Sequence, residues 1–164
     1  MHDKEYLVHV GGKSYAEALA YCKTKGGKLV EPKSAQANND IIDLAKAIGI
    51  QANIIWIGIN DISQEGDFRY ASDGKPLTYT NWNPGQPDDS GNNEDCVLLW
   101  NQYEFKWNDA PCSLKRSFIC GGGIQSTILH PSLKSNINIV KNFYTKYIQM
   151  VIRLSNQHNT KDTT

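Results

Sequence analysis

Between positions 86 and 109 the chain concentrates side-chain oxygens. Gln86, Asp88, Asp89, Glu94 and Asp95 fall within ten residues, and Asn108-Asp109 follow. Carboxylates mixed with amides suit calcium, which takes six to eight oxygen ligands, because the amides limit repulsion among like charges. Magnesium fits less well, since it keeps its waters and is bound through few protein ligands, usually beside phosphates. The competing reading is a solvated acidic loop, the common fate of a charge run. Two features weigh against it. Cys96 and Cys112 bracket part of the segment, and it holds few basic residues to neutralise its acids.

Across all 164 residues the 17 basic and 17 acidic side chains cancel, but their distribution does not. Residues 1–55 carry 7 basic and 6 acidic groups, residues 56–112 carry 3 and 10, and residues 113–164 carry 7 and 1. The oxygen-rich segment therefore accounts for most of an acidic middle third, and a basic tail balances it. The tail's Lys134, Lys141, Lys146 and Arg153 are spaced like a solvated face, which supports neither nucleic-acid binding nor a membrane surface. No apolar run reaches the roughly 20 residues of a membrane helix. An enzyme is also disfavoured: His2, His9, His130 and His158 are scattered, and cysteines held in disulfides cannot act as nucleophiles.

The four cysteines, Cys22, Cys96, Cys112 and Cys120, include no CxxC pair, which argues against zinc and thioredoxin-type chemistry. An even count in a small domain reads as two disulfides and a secreted protein. The polar start Met1-His2-Asp3-Lys4-Glu5 holds no signal-peptide core, so a secretory leader is expected to have been removed or omitted. Three pairings are open to four cysteines. The nested one, with Cys96–Cys112 closing a short loop and Cys22–Cys120 joining the ends, is preferred, although spacing alone does not prove it.

The elements that must position these groups can be read in outline. Tyr6–Val10 reads as a strand ending in a turn at Gly11-Gly12. Ser14 with Glu17 forms a capping-box signature for a helix that runs to Gly26-Gly27. A second helix starts near Ser34 or Asn38, with Ile41, Ile42, Leu44, Ala45 and Ile48 on one stripe before Gly49. Ile54–Ile59, Cys96–Trp100 and Phe118–Cys120 read as buried strands around an irregular segment, residues 60–95. Two helices followed by strands give an α+β class. Beyond Gly121-Gly122-Gly123, Val140, Tyr144, Tyr147, Val151 and Leu154 predict an amphipathic helix over about 137–154, either docked on its own domain or self-associating.

With Trp56-Ile57-Gly58-Ile59, Gln86-Pro87-Asp88, Glu94-Asp95-Cys96, Trp107-Asn108-Asp109 and these four cysteines, the chain resembles C-type lectin-like domains. The resemblance runs from about Tyr6 to Cys120, roughly 115 residues, and divides the chain into a domain at 5–121 and an extension at 122–164. It implies two helices, two small antiparallel sheets, a long irregular calcium-binding loop, and disulfides Cys22–Cys120 and Cys96–Cys112. It implies a sugar-binding calcium held by Gln86, Asp88, Glu94, Asn108 and Asp109, whose side chains also bond two vicinal sugar hydroxyls. A second, auxiliary calcium would use Asp61, Glu65, Asp89 and Asp95, sharing Glu94. A cis Gln86–Pro87 bond would let both neighbours face one ion, and X–Pro is the junction where cis costs little.

Gln-Pro-Asp resembles the galactose-type signature, and the expected ligands are galactose or N-acetylgalactosamine glycans on glycoproteins or cell surfaces. The pattern is departed from in one respect. Strong galactose binders place an aromatic residue soon after the tripeptide, and here Asp89-Ser90-Gly91-Asn92-Asn93 follows. Tyr103 is the candidate stacking partner, since Trp82 and Trp100 read as core. Weak affinity per site would be offset by self-association through the tail helix. The alternative function is a domain of the same fold that binds a protein partner or ice.

Overall fold

The computed structural model describes residues 6–47 and 54–123. The expected tail helix at 137–154 lies outside the described residues. In chain order the elements are β1 (Tyr6–Lys13), α1 (Tyr15–Thr24), β2 (Lys28–Leu29), α2 (Ala35–Ala47), β3 (Ile54–Asn60), β4 (Arg69–Tyr70), β5 (Cys96–Trp100), β6 (Lys106–Ala110) and β7 (Arg116–Gly121). Both helices start where their hydroxyl caps stand. Ser14 accepts from the Glu17 N–H while the Glu17 carboxylate accepts from the Ser14 N–H, and Ser34 Oγ accepts from the Ala37 N–H.

The strands form one mixed sheet whose main path is β1-β7-β3-β5-β6, with β2 on β7 and β4 on β3. The fold is α+β, and the sheets that the resemblance separates are joined here by a parallel pair, Ile55 with Ser117 and Trp56 with Phe118. Strand β1 does not stop at Gly11-Gly12. It continues to Lys13 past an irregularity in which Gly11 adopts a φ of 130° and donates to Ser117 Oγ. Glycine permits that backbone, so a doublet that reads as a turn instead carries a bulge.

Alternation along the strands distributes the core to both faces of the sheet. Ile55, Ile57 and Ile59 of β3, Val97 and Leu99 of β5, Trp107 and Ile119 pack with Ile41, Ile42 and Ala45 of α2. Trp56, Leu98, Phe118 and Cys120 face the other way and pack with Tyr15, Ala18 and Cys22 of α1. Burial on both faces explains why β3 is an unbroken apolar run rather than an alternating one. Gly58 is required at its place by close approach: a Cβ there would lie 2.9 Å from the Leu29 carbonyl and from the Glu31 side chain.

The nested disulfides are present. Cys22–Cys120 ties α1 to β7, and Cys96–Cys112 ties the start of β5 to the second residue beyond β6. Residues 60–95 hold almost no regular structure. Instead Tyr79 and Trp82 pack edge-on against Trp107, and the Tyr70 hydroxyl bonds both the Thr78 N–H and its hydroxyl. Aromatic anchors and hydrogen bonds replace a ladder.

The capping box generates a stability prediction. Lys115 bonds the Glu17 carboxylate, which with the two Ser14 bonds holds it at about 2. Ser14→Ala should lower unfolding stability by about 1 kcal/mol in urea titration. Because the folded pKa of Glu17 is depressed, its contribution is complete above about 4.5, the ordinary value, and is lost as pH falls toward about 2. Glu17→Gln should flatten that part of the pH profile, with less effect in high salt.

Candidate functional site

The acidic residues are brought together by the β5–β6 hairpin. Antiparallel register places Cys96 opposite Ala110 and Val97 opposite Asp109, so Glu94 and Asp95, just before β5, arrive beside the end of β6. The segment 86–93 then folds onto the same corner. Asp109 is fully buried, and its carboxylate accepts from the backbone N–H of Asp88 and of Asp89, the latter at 2.8 Å. Glu94 accepts from the Ser90 N–H at 3.1 Å, and its own N–H donates to Asp89 Oδ1 at 3.1 Å. Asp89 and Asn92 adopt left-handed backbone, φ 40° and 55°, which short polar side chains tolerate best.

Two groups of carboxylates result, each with oxygens within 4.8 Å of one another: Asp88, Glu94 and Asp109, and separately Asp61, Glu65 and Asp95. The second group is tied together internally, since the Asp61 N–H donates to the Asp95 carbonyl. Asp89 accepts from the Glu94 N–H, and its charge adds to desolvation and the Asp61 charge in raising the Glu65 pKa. Glu94 belongs to the first group. Among the described residues, each ion pair uses other carboxylates, those of Glu17, Glu31, Asp67 and Asp73.

Clustering of these carboxylates leaves an electrostatic signature. Desolvation, then the charges of Asp109 and Asp88, push the Glu94 pKa up against the pull of the Ser90 N–H. Desolvation also raises Asp61, with Asp95 and Asp109 adding to it, while the Gly66 N–H opposes. Two buried acceptors, Gln86 Oε1 and Asp61 Oδ1, have no hydrogen-bond partner. A buried acceptor left unsatisfied costs about 1–3 kcal/mol. One orphan stands with each expected ligand set, and a hard divalent cation with oxygen ligands would satisfy both. The residues therefore fit calcium.

Gln86, Asp88, Glu94, Asn108 and Asp109 are thus supplied by one loop and one hairpin. The Gln86–Pro87 bond is cis. Asn108 spends one amide proton on the Asp109 carbonyl at 2.6 Å, leaving the other amide proton and its carbonyl oxygen. Tyr103 is not brought to this corner. It sits on a 3-10 turn, Asn101–Tyr103, at the opposite end of the hairpin, with its ring edge-on to Trp100 at 5.1 Å. Three residues of strand separate Asp109 from Lys106, about 10 Å, before that turn begins. Trp82 and Trp100 are half-buried and packed on the core, as their positions implied. Two contributors escaped the residue pattern: the backbone N–H of Ser90, and Asn38 of α2, whose buried amide oxygen accepts from the Trp107 indole. A backbone donor carries no residue signature, and no local pattern relates positions 69 apart.

Comparison with known proteins agrees with the geometry. Residues 11–121 match the lectin C-type domain. A perlucin-like protein of Mytilus galloprovincialis is 33% identical over 116 residues, covering 70% of this chain and 74% of its own. Human collectin-10 is 37% identical over 119 residues, 72% of this chain, and the chain spans only 41% of its length. Among solved structures, the mouse scavenger receptor C-type lectin carbohydrate-recognition domain superposes with a TM-score of 0.66 at 31% identity, covering 76% and 94% of the two chains. A calcium-independent type II antifreeze protein superposes at 0.64 with 26% identity, covering 75% and 88%. The chain belongs to the C-type lectin domain family, whose members are binding proteins without enzymatic activity.

If cations relieve this repulsion, calcium must stabilise the fold. Saturation at about 100 times the dissociation constant should add about 2.7 kcal/mol per site. Scanning calorimetry with calcium and with chelator checks this, and coincident transitions would disprove it.

Proposed function

We propose that the protein is a calcium-dependent lectin for galactose-type sugars, galactose and N-acetylgalactosamine, acting in a secreted setting. One observation carries the reading: Asp88, Glu94 and Asp109 converge within 4.8 Å while the neighbouring Gln86 Oε1 is buried without a partner. Gln86, Asp88, Glu94, Asn108 and Asp109 would hold the sugar-binding calcium, and Asp61, Glu65, Asp89 and Asp95 an auxiliary one. When bound, calcium supplies a Lewis-acid centre that takes lone pairs from two vicinal hydroxyls. The protein does the rest. Asp88 and Glu94 accept hydrogen bonds from the sugar O–H groups, and the amide N–H groups of Gln86 and Asn108 donate to the hydroxyl oxygens. The order amide-then-acid across Pro87 decides which hydroxyl pair meets a donor and which an acceptor, and this supports galactose over mannose.

Affinity per site is weak, because no aromatic follows the tripeptide and Tyr103 lies at the far end of the hairpin. Self-association through residues 137–154 would compensate by avidity. The rival, binding of protein or ice, has a precedent in the fold, since one structural neighbour is a calcium-independent antifreeze protein. The two carboxylate groups support the calcium-dependent reading over it.

A glycan array read with calcium and with chelator tests the proposal. Galactose-terminated glycans should be retained only with calcium, and the double variant Gln86→Glu/Asp88→Asn should shift retention toward mannose. Retention that ignores chelation, or a swap that leaves the preference unchanged, defeats the respective half of the proposal. No retained glycan in either condition favours the protein or ice reading.

A further inference from the structure

Trp107 stands where the two limbs of the site join. Its N–H donates to the Asn81 carbonyl, its carbonyl accepts from the Asn83 N–H, and the Asn83 carbonyl accepts from the Gln86 N–H, each at 2.9 Å. The next residues along β6 are Asn108 and Asp109. The separation between the Gln86–Asp88 limb and the Asn108–Asp109 limb is therefore set at the Gln86 end through this residue, and at the other end by the Asp88 and Asp89 N–H bonds to the Asp109 carboxylate. Its ring is fixed in turn. Tyr79 and Trp82 pack against it nearly perpendicular, at 5.7 and 5.6 Å. The single indole N–H donates to Oδ1 of Asn38 at 2.9 Å, with Trp107 0% and Asn38 1% exposed. Water does not reach the pair, so no solvent acceptor replaces Asn38 if it is removed.

We propose that Asn38 is a positioning residue for the calcium and sugar site, acting through Trp107; this rests on the lectin reading above. Asn38 belongs to α2, carries no charge and is not among the expected ligands. Its oxygen fixes the rotation of the Trp107 indole about its side-chain bonds. An indole freed of that bond turns against Trp82, whose neighbours Asn81 and Asn83 hold the Trp107 backbone. The displacement is thereby passed to Gln86. The helix sets how far apart the loop and strand ligands stand, without meeting the ion.

Calcium titration calorimetry on the full chain tests this, at a temperature where near-ultraviolet circular dichroism shows each variant folded. Asn38→Leu, which keeps the volume and removes the acceptor, should raise the calcium dissociation constant about tenfold, the scale seen for residues that orient metal ligands. Asn38→Asp keeps an oxygen on the indole N–H and should stay within about threefold of the native chain. In a Trp107→Phe background, which lacks the N–H, Asn38→Leu should add less than about twofold. Native affinity in Asn38→Leu, or effects of the two substitutions that simply multiply, would overturn the proposal. A purely structural role would lower the melting temperature in chelator and leave the affinity of the folded variant unchanged. If Asn38→Leu does not fold, Trp107→Phe alone carries the expectation, and native affinity there overturns it. Asp109→Asn separates the two claims. Native affinity in that variant refutes the site itself, whereas loss there with an intact Asn38→Leu refutes only the role of Asn38.

Discussion

Like charges brought together are the constraint around which this domain is arranged. Two unit charges about 4 Å apart interact by ~1 kcal/mol in bulk water and several times that near a protein surface. Seven carboxylates meet at one corner, and the pKa values of Asp61, Glu65 and Glu94 are raised by desolvation first and by the neighbouring carboxylate charges after it. Only a scaffold that cannot relax apart can hold them. The β5–β6 ladder, with Val97 opposite Asp109, and the Cys96–Cys112 disulfide immediately beside it supply that rigidity. The backbone N–H groups of Asp88, Asp89 and Ser90 supply the only compensation the protein itself directs at Asp109 and Glu94 among the described residues.

The remainder of the fold serves that corner. A sheet covered on both faces, by α2 through Ile41 and Ile42 and by α1 through Tyr15 and Cys22, gives the hairpin an immobile base. A loop with almost no ladder of its own then leans on aromatic anchors, Tyr79 and Trp82 against Trp107. This division between a well-packed base and an irregular binding edge lets one fold carry different ligands. A carbohydrate-recognition domain and a calcium-independent antifreeze protein superpose on this chain almost equally well, at TM-scores of 0.66 and 0.64. The fold by itself therefore does not decide the ligand.

Local signals were legible wherever the physics is local. Ser14 and Glu17 are three residues apart, and the capping box they announce is formed. The apolar run at Ile54–Ile59 could only be a buried element, and it is β3. Legibility failed where a partner strand decides the outcome. Gly11-Gly12 reads as a turn, yet pairing with β7 carries the strand on to Lys13. Lys-Trp-Asn-Asp-Ala at 106–110 lacks a strand's apolar alternation because one of its inward-facing positions is Asp109, so β6 was hidden behind its polar residues. Tyr103 followed the tripeptide closely enough to be a candidate for stacking, but sequence distance does not show which end of a hairpin a residue occupies.

The sequence by itself set the residue types that point to calcium: side-chain oxygens in calcium-like proportion, four cysteines without a metal spacing, and histidines scattered along the chain. Those follow from residue types, which need no partner to be recognised. Tertiary structure alone decided how the expected ligands were grouped. It divided the acidic residues into two sets, put Glu94 with Asp88 and Asp109, and left Gln86 Oε1 and Asp61 Oδ1 each awaiting a partner. It also tied Asn38 to Trp107 across 69 positions. Grouping depends on strand register and buried hydrogen bonds between distant segments, and neither leaves a trace in the local order of residues.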